Sequence, residues 1–403
     1  MGTRRFEPIA DELAHGTDQL IRREDLIDKL QGSDRTGRPL RIKLGIDPSA
    51  PHLTLGHSVP LRKMRQFQDL GHVGVLVVGD FTRRIGDPSG RSSTRALMSA
   101  EEIERNMETY RDQAFKILDP ERTEFRYNSE WLRKLDFADI IHLTAKYTVA
   151  RMLERDDFSK RYAAGESISV LEFLYPLAQA YDSVAIEADV ELGGTDQLFN
   201  LLVGREIQRE YEQEPQVVMT VPLLIGLDGE RAMSQTTGNY VGISEKPEEI
   251  YGKILSIPDT LIGPYFDWLT DVEVDKDLER SIESAPRDAK RRLAREIVQI
   301  YHGARAADRA EAEFDRIHIH HERPSDVPRI ALDRSLLKDD GTIWIVDLLQ
   351  ASGLVGSRAE AKRLIQQGGV RVNEQKIDSQ DVDVPFEGGL LLQVGKRSFV
   401  EWV

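Results

Sequence analysis

Tyr175, Gln179 and Asp182 stand at i, i+4 and i+7 of a segment whose apolar spacing predicts a helix over about 168–184, so a phenol, a carboxamide and a carboxylate share one stripe. A polar stripe of this kind ordinarily faces solvent. Here Leu171, Leu174, Leu177 and Ala178 surround it, which suits a polar pocket set in an apolar wall. A little further on, Gly193-Gly194-Thr195-Asp196-Gln197 opens another helix with short polar groups and amide donors at its start. A third group is Leu55-Gly56-His57, in the first turn of a helix predicted after residue 54. Its amide donors and the helix dipole form a ready anion site, and Gly56 lets a ligand approach the backbone closely.

The elements that must position these groups follow from periodicity. Arg41–Ile46 reads as a strand that Asp47-Pro48-Ser49 stops and turns. Leu61, Met64 and Phe67 lie about one turn apart and give the next helix a buried face. Val73–Gly79 is a continuous apolar run, as expected for a parallel strand covered on both sides. Strand, helix and strand within so short a span make a βαβ unit, so the fold class is α/β with a parallel sheet. Ser99 and Glu102 form a capping box ahead of a helix carrying Ile103, Met107, Tyr110, Ala114 and Ile117. Val217–Gly226 reads as a further buried strand that closes the nucleotide-binding half, and it leads into a polar loop, LDGERAMSQTTGNYVGI.

The chain has 403 residues, enough for two to four domains. No apolar run of about 18 residues is present, so nothing is expected to span a membrane, and the first residues lack the apolar core of a signal peptide. Zero Cys excludes disulfides, thiolate metal sites and cysteine nucleophiles, and makes a cytoplasmic location the default. No protein-bound metal is expected. A formal charge of −15 argues against a general nucleic-acid coat protein, yet two local reversals stand out. Arg287, Lys290, Arg291, Arg292 and Arg295 crowd one helical stretch, and residues 356–376 carry five positive and two negative side chains. The latter stretch has a Ser cap, a short helix with Arg358, Lys362 and Arg363, a Gly-Gly stop and a strand with Arg371.

Six segments, LGIDPSAPHLTLGH, GDPSGR, YPLAQAYD, GGTDQ, MSQTTGNYVG and SRAEAKRLIQQGGVRVN, occur in an order that resembles the bacterial tyrosyl-tRNA synthetases, class I enzymes ending in an S4-like module. The resemblance spans nearly the whole chain. It implies a Rossmann-like parallel-sheet catalytic domain with an inserted helical segment over 1–226 and a signature loop with an α-helical, anticodon-side tRNA domain over 227–322. A linker over 323–340 and a small α+β S4-like RNA-binding domain over 341–403 would follow. The implied substrates are L-tyrosine, ATP with Mg²⁺, and tRNA(Tyr), and the implied assembly is a homodimer. Such chemistry needs no protein nucleophile, because catalysis is positioning plus electrostatic stabilisation of phosphates. Carried over by position, Asp87 would take the tyrosine ammonium and Asp182 the phenol hydroxyl, with Tyr175, Gln179 and Gln197 as further contacts. Lys43, where some relatives place a tyrosine, would donate to the phenol oxygen. ATP would lie along Gly45, Asp47, Ser49, Gly56, His57, Gly194 and Asp196, with Met233 and Ser234 of the loop. RNA would meet Arg287, Lys290, Arg291, Arg358, Lys362, Arg363 and Arg371.

Two departures concern the phosphates. The family's His-Ile-Gly-His reads Thr54-Leu55-Gly56-His57, and its Lys-Met-Ser-Lys-Ser reads Ala232-Met233-Ser234-Gln235-Thr236, so a histidine and both lysines are gone. Thr54, His57, Ser234 and Gln235 then remain as the catalytic set, with Arg231, and further off Arg91 and Arg95, as compensating charges. Charge-assisted contacts contribute about 1.5–3 kcal/mol each. Losing several without replacement would slow the reaction by roughly 10² to 10⁴. Two expectations follow: an active tyrosine–tRNA ligase with a divergent phosphate site, or an impaired paralogue that binds tyrosine or tRNA as a regulator.

Overall fold

The protein is described from a computed structural model that covers all residues except 1–2, 49, 88–98, 108, 321, 324–326, 387 and 396–397. It divides into two compact units, residues 1–303 and 304–403. The helical stretch 247–302, which the sequence places after the signature loop in a domain of its own, belongs to the first of these.

The first unit is built on six strands: β1 (Gln19–Ile21), β2 (Arg41–Ile46), β3 (Val73–Val78), β4 (Thr123–Tyr127), β5 (Val190–Gly194) and β6 (Val217–Val221). Their order is β1-β6-β5-β2-β3-β4; five run parallel and only the edge strand β1 is antiparallel to its neighbour. The apolar run of β3 is buried along almost its whole length, which is why no alternation marks it in the sequence. β6 stops at Val221, short of the predicted Gly226, because Pro222 has no N–H to continue the ladder.

Helix α1 (Leu55–Asp69) follows β2 and buries Leu61, Met64 and Phe67. The capping box at Ser99 forms, with Glu102 accepting the Ser99 N–H at 2.9 Å. The single helix expected beyond it is instead two short ones, Ala100–Met107 and Tyr110–Ala114. Helix α2 (Val170–Ala185) is capped by Ser169 and Glu172 and packs on α3 (Leu198–Glu210), with Leu177, Ala180 and Val184 meeting Val203 and Ile207. Helix α4 (Pro286–His302) carries the basic stretch. No helix among the described residues is long and apolar enough to cross a membrane.

The second unit holds β7 (Arg329–Ile330), β8 (Thr342–Trp344), β9 (Val370–Val372), β10 (Gln375–Lys376), β11 (Asp383–Pro385), β12 (Leu390–Val394) and β13 (Ser398–Trp402), with α5 (Ile345–Ala351) and α6 (Arg358–Gln366). Ser357 caps α6 as the sequence suggests. Ile343, Leu348, Ile365, Leu392 and Trp402 form part of a core of its own.

Phe67 is fully buried on α1, the helix that carries the candidate anion site. Phe67→Ala is expected to destabilise the protein by about 3–5 kcal/mol through lost burial and a residual cavity, read as a lowered urea midpoint.

Candidate active site

The order β6-β5-β2-β3 means that the chain runs outward from the β2–β5 pair in both directions, and a crevice opens at the carboxyl ends of those strands. A cavity of about 360 Å³ occupies it. Gly45 and Asp47 at the end of β2, Gly79 after β3, Gly193 and Gly194 of β5 and Val221 of β6 line it, together with Gly56 and His57 of α1. Tyr175, Gln179 and Asp182 of α2 face it, as do Asp87, Asp196 and Gln197. The helical stripe and the two glycine-rich turns found separately in the sequence therefore share one wall.

Asp182 is the most enclosed of the acids. Its Oδ1 accepts the Trp131 indole N–H at 2.7 Å and its Oδ2 an Asn128 amide hydrogen at 3.3 Å. Burial pushes its carboxyl up to about 7, against the opposing pull of the Lys43 ammonium and the two donors. Asp47 accepts the Tyr175 hydroxyl at 2.9 Å and the Thr82 hydroxyl at 3.1 Å. Burial and the nearby Asp87 charge push it up to about 6. The same burial and acids hold the Tyr175 phenol well above its ordinary value, so it stays a donor. A Cβ at Gly79 would strike both Asp47 Oδ1 and Thr82 Oγ1, so glycine is what admits this contact. Asp87 accepts the Gln197 amide at 2.9 Å, and the buried Arg155 guanidinium lies 3.8 Å from its other oxygen. Gln197 also reaches Asp196 at 3.2 Å.

At the other end, Thr54 explains itself locally. It is the N-cap of α1 in a reciprocal capping box with His57, whose Nδ1 accepts the Thr54 backbone N–H at 3.1 Å. Burial lowers the imidazole to about 4, so at neutral pH it is uncharged, with its proton on Nε2. The altered signature loop is docked on this helix start. Segment 241–243 pairs with 53–55 through Leu55 N–H to Val241 O at 2.9 Å and Ile243 N–H to Leu53 O at 3.0 Å. Met233 packs against Gly56, Ala232 bridges to Ile225, and the Gln235 amide donates to the His52 carbonyl.

Several expected residues stand elsewhere. Lys43 does not line the cavity: its three N–H groups go to Glu191, the Gln179 carbonyl and Ser183, so none is left for a phenol oxygen. Arg231 is exposed and paired with Asp228 at 3.0 Å, outside the cavity. Ser234 and Gln235 also lie off the lining; the Ser234 N–H is held by Asn239 at 2.8 Å. Ser49, Arg91 and Arg95 fall outside the described residues. Among the described lining residues there are four aspartates and no lysine or arginine. Of the candidate RNA contacts, Arg287 is exposed, Arg291 is half-buried, and Lys290 is engaged by Asp259 at 2.5 Å. In the second unit Arg358 pairs with Asp347 at 2.8 Å, Lys362 lies over the Trp344 ring, Arg363 is 3.8 Å from Glu360, and Arg371 is exposed.

Sequence reasoning missed Thr82, Asn128, Trp131 and Arg155. Thr82 and Asn128 follow the carboxyl ends of β3 and β4, the position where open parallel sheets place ligand contacts, and that rule was available as a signal. Trp131 and Arg155 reach the site from helical segments with no such marker.

Residues 35–318 match the family model described as tRNA synthetases class I (W and Y), and residues 343–387 match the S4 domain. A tyrosine–tRNA ligase of Thermotoga maritima is 52% identical over 94% of this chain and 93% of its own length. One of Moorella thermoacetica is 50% identical over 96% and 94%. A truncated Coccidioides posadasii mitochondrial tyrosyl-tRNA synthetase shares the fold at a TM-score of 0.62 and 24% identity, covering 76% of this chain and 91% of that one. The chain thus belongs to the class I tRNA synthetases. Within that class, identity over nearly the full length places the chain in the tyrosyl-tRNA synthetase family.

Asp182 supplies a sign test of its burial. Its folded carboxyl titrates near 7 against an ordinary 3.8, so its contribution to stability is full below about pH 4 and is lost as pH rises through 7. Between pH 5 and 8, ligand-free Asp182→Asn should gain about 2–3 kcal/mol on the wild type, measured by urea unfolding at both pH values.

Proposed function

We propose that the chain is a tyrosine–tRNA ligase. A carboxylate oxygen of L-tyrosine attacks the α-phosphorus of ATP, pyrophosphate leaves, and the 3′-terminal ribose hydroxyl of tRNA(Tyr) then takes the tyrosyl group and releases AMP. The observation that carries this reading is Asp182, a carboxyl with Trp131 and Asn128 already on it and facing a cavity whose other acids are at hand for an ammonium group. Near-full-length identity to two such ligases supports it.

In this reading Asp87 takes the ammonium, flanked by Tyr175, Gln179 and Gln197, and Asp182 accepts the phenol hydrogen. Asp196 takes the ribose. Gly45, Gly56 and Gly194 let ATP lie against the backbone, and Met233 caps it from the loop. Asp47 acts through Tyr175, to which it is bonded. His57 offers a neutral Nε2–H donor to a phosphate oxygen, and Thr54 holds that ring. Gln235 and Ser234 keep the loop docked rather than touching phosphate. Mg²⁺ arriving with ATP would supply positive charge at the phosphates.

The second unit binds tRNA through Arg358, Lys362, Arg363 and Arg371, and Arg287 and Arg291 meet RNA from α4. A groove within that second unit carries Arg316, Arg323 and Arg371 alongside Glu322 and Glu374. The protein works in the cytoplasm as a homodimer. Exposed large apolar side chains among the described residues concentrate at Phe137, Ile141, Val149, Val170 and Leu171, which favours a partner surface there.

Tyrosine-dependent ATP–pyrophosphate exchange tests the activity. Exchange is expected from the wild type, and Ala232→Lys, at a position that lines the cavity, should raise it roughly 10-fold by adding a phosphate contact. Measurable tyrosine binding without any exchange would sink the ligase reading.

A further inference from the structure

Beneath the cavity, and outside its lining, lies a charge pair that the chemistry above does not use. Lys43 and Glu191 are register partners across β2 and β5. Their side chains are 0% and 1% exposed, with Nζ and Oε1 2.8 Å apart. The Lys43 ammonium also donates to the Gln179 backbone carbonyl at 2.9 Å and to the Ser183 hydroxyl at 2.8 Å. Glu191 accepts the Ser183 hydroxyl at 3.2 Å, an amide hydrogen of Gln216, and an amide hydrogen of Gln179 at 3.4 Å. A buried ion pair is by itself weak evidence for stability, because apolar residues of similar volume often serve as well. Its consequence here is orientation.

A carboxamide that gives its NH₂ group to a carboxylate must turn its oxygen the other way. Gln179 Oε1 is buried, has no hydrogen-bond partner among the described residues, and belongs to a side chain that lines the cavity. The two ends of a carboxamide are nearly equal in size, so without Glu191 it could rotate and present a donor to an incoming ammonium, like facing like. On the same helix, Asp182 sits between the two residues of α2 that Lys43 grips.

We propose that Lys43 and Glu191 are positioning residues for the amino-acid half of the site. Glu191 fixes the Gln179 oxygen toward the cavity as an acceptor for the substrate ammonium. Lys43 ties α2 to the strands on either side of Asp182, keeping that carboxyl aimed at the phenol. The assignment rests on the tyrosine reading above, and it gives Lys43 a task other than direct contact with substrate. The Lys43 charge also opposes the burial that raises Asp182.

The test is equilibrium binding of L-tyrosine and of its des-amino analogue to full-length wild type and to two double variants, Lys43→Met with Glu191→Gln and Lys43→Met with Glu191→Leu. Each double variant removes both charges, so no unpaired charge stays buried, and each takes away the carboxylate that holds the Gln179 amide. In both variants tyrosine is expected to weaken about tenfold more than the analogue, while the analogue weakens severalfold because Lys43 no longer holds the turn of α2 that carries Asp182; in exchange the tyrosine KM rises by the same factor as tyrosine binding falls, at unchanged kcat and ATP KM. Equal weakening of both ligands, an analogue that binds unchanged, or unaltered tyrosine affinity overturns the proposal and leaves the pair a purely structural one. If one double variant does not fold, the other decides by the same ratio. A wild type that binds tyrosine without exchanging it overturns the activity only. A wild type that binds no tyrosine overturns the site reading and this assignment together.

Discussion

Everything at the site depends on the pairing of β2 with β5. Because β2 has β3 on one side and β5 on the other, the loops that leave the carboxyl ends of β2 and β5 diverge, and their separation is the cavity. The residues at the carboxyl ends of β3 and β5 are small for a reason. A side chain at Gly79 would collide with Asp47 and Thr82, and one at Gly194 would meet Asp196 Oδ1 at 2.6 Å. Parallel pairing also buries both faces of the central strands, so the polar residues carried by β2 and β5 must satisfy one another there. Lys43 and Glu191 do so in register.

The cavity is electrostatically one-sided. Four aspartates line it, and three of them are raised by burial, Asp47 to about 6, Asp182 to about 7, and Asp196 in the same direction. Ligand-free, the site therefore holds acids at unfavourable charge, and a bound ammonium relieves what the fold imposes. The opposite end relies on neutral donors, the first turn of α1 and an imidazole held uncharged by burial. A ligand with a cation at one end and an anion at the other matches that polarity, with no lysine or arginine among the described lining residues.

The altered loop shows how docking and charge separate. Its contacts with the start of α1 are backbone hydrogen bonds, one glutamine amide and the packing of Met233 on Gly56. None of these requires lysine. The loop thus keeps its place with Ala232 and Gln235 at the two lysine positions.

Much of this was legible in the residues. The βαβ start, the apolar run of β3, the Ser99 and Ser357 caps and the shared stripe of Tyr175, Gln179 and Asp182 follow from spacing and local chemistry, which act within a turn or a strand. What the family resemblance implied gave way where a neighbour in space intervened. Lys43 read as a substrate contact until Glu191 and Ser183 took its protons, and Arg231 read as a phosphate ligand until Asp228 claimed it. Trp131 and Asn128 reach Asp182 from a segment some 50 residues earlier in the chain. The sequence by itself thus determined the elements and the family, because periodicity, caps and motif order are properties of neighbouring residues. Only the tertiary structure decided which donors and acceptors meet, since hydrogen bonds and burial join residues that the chain keeps far apart.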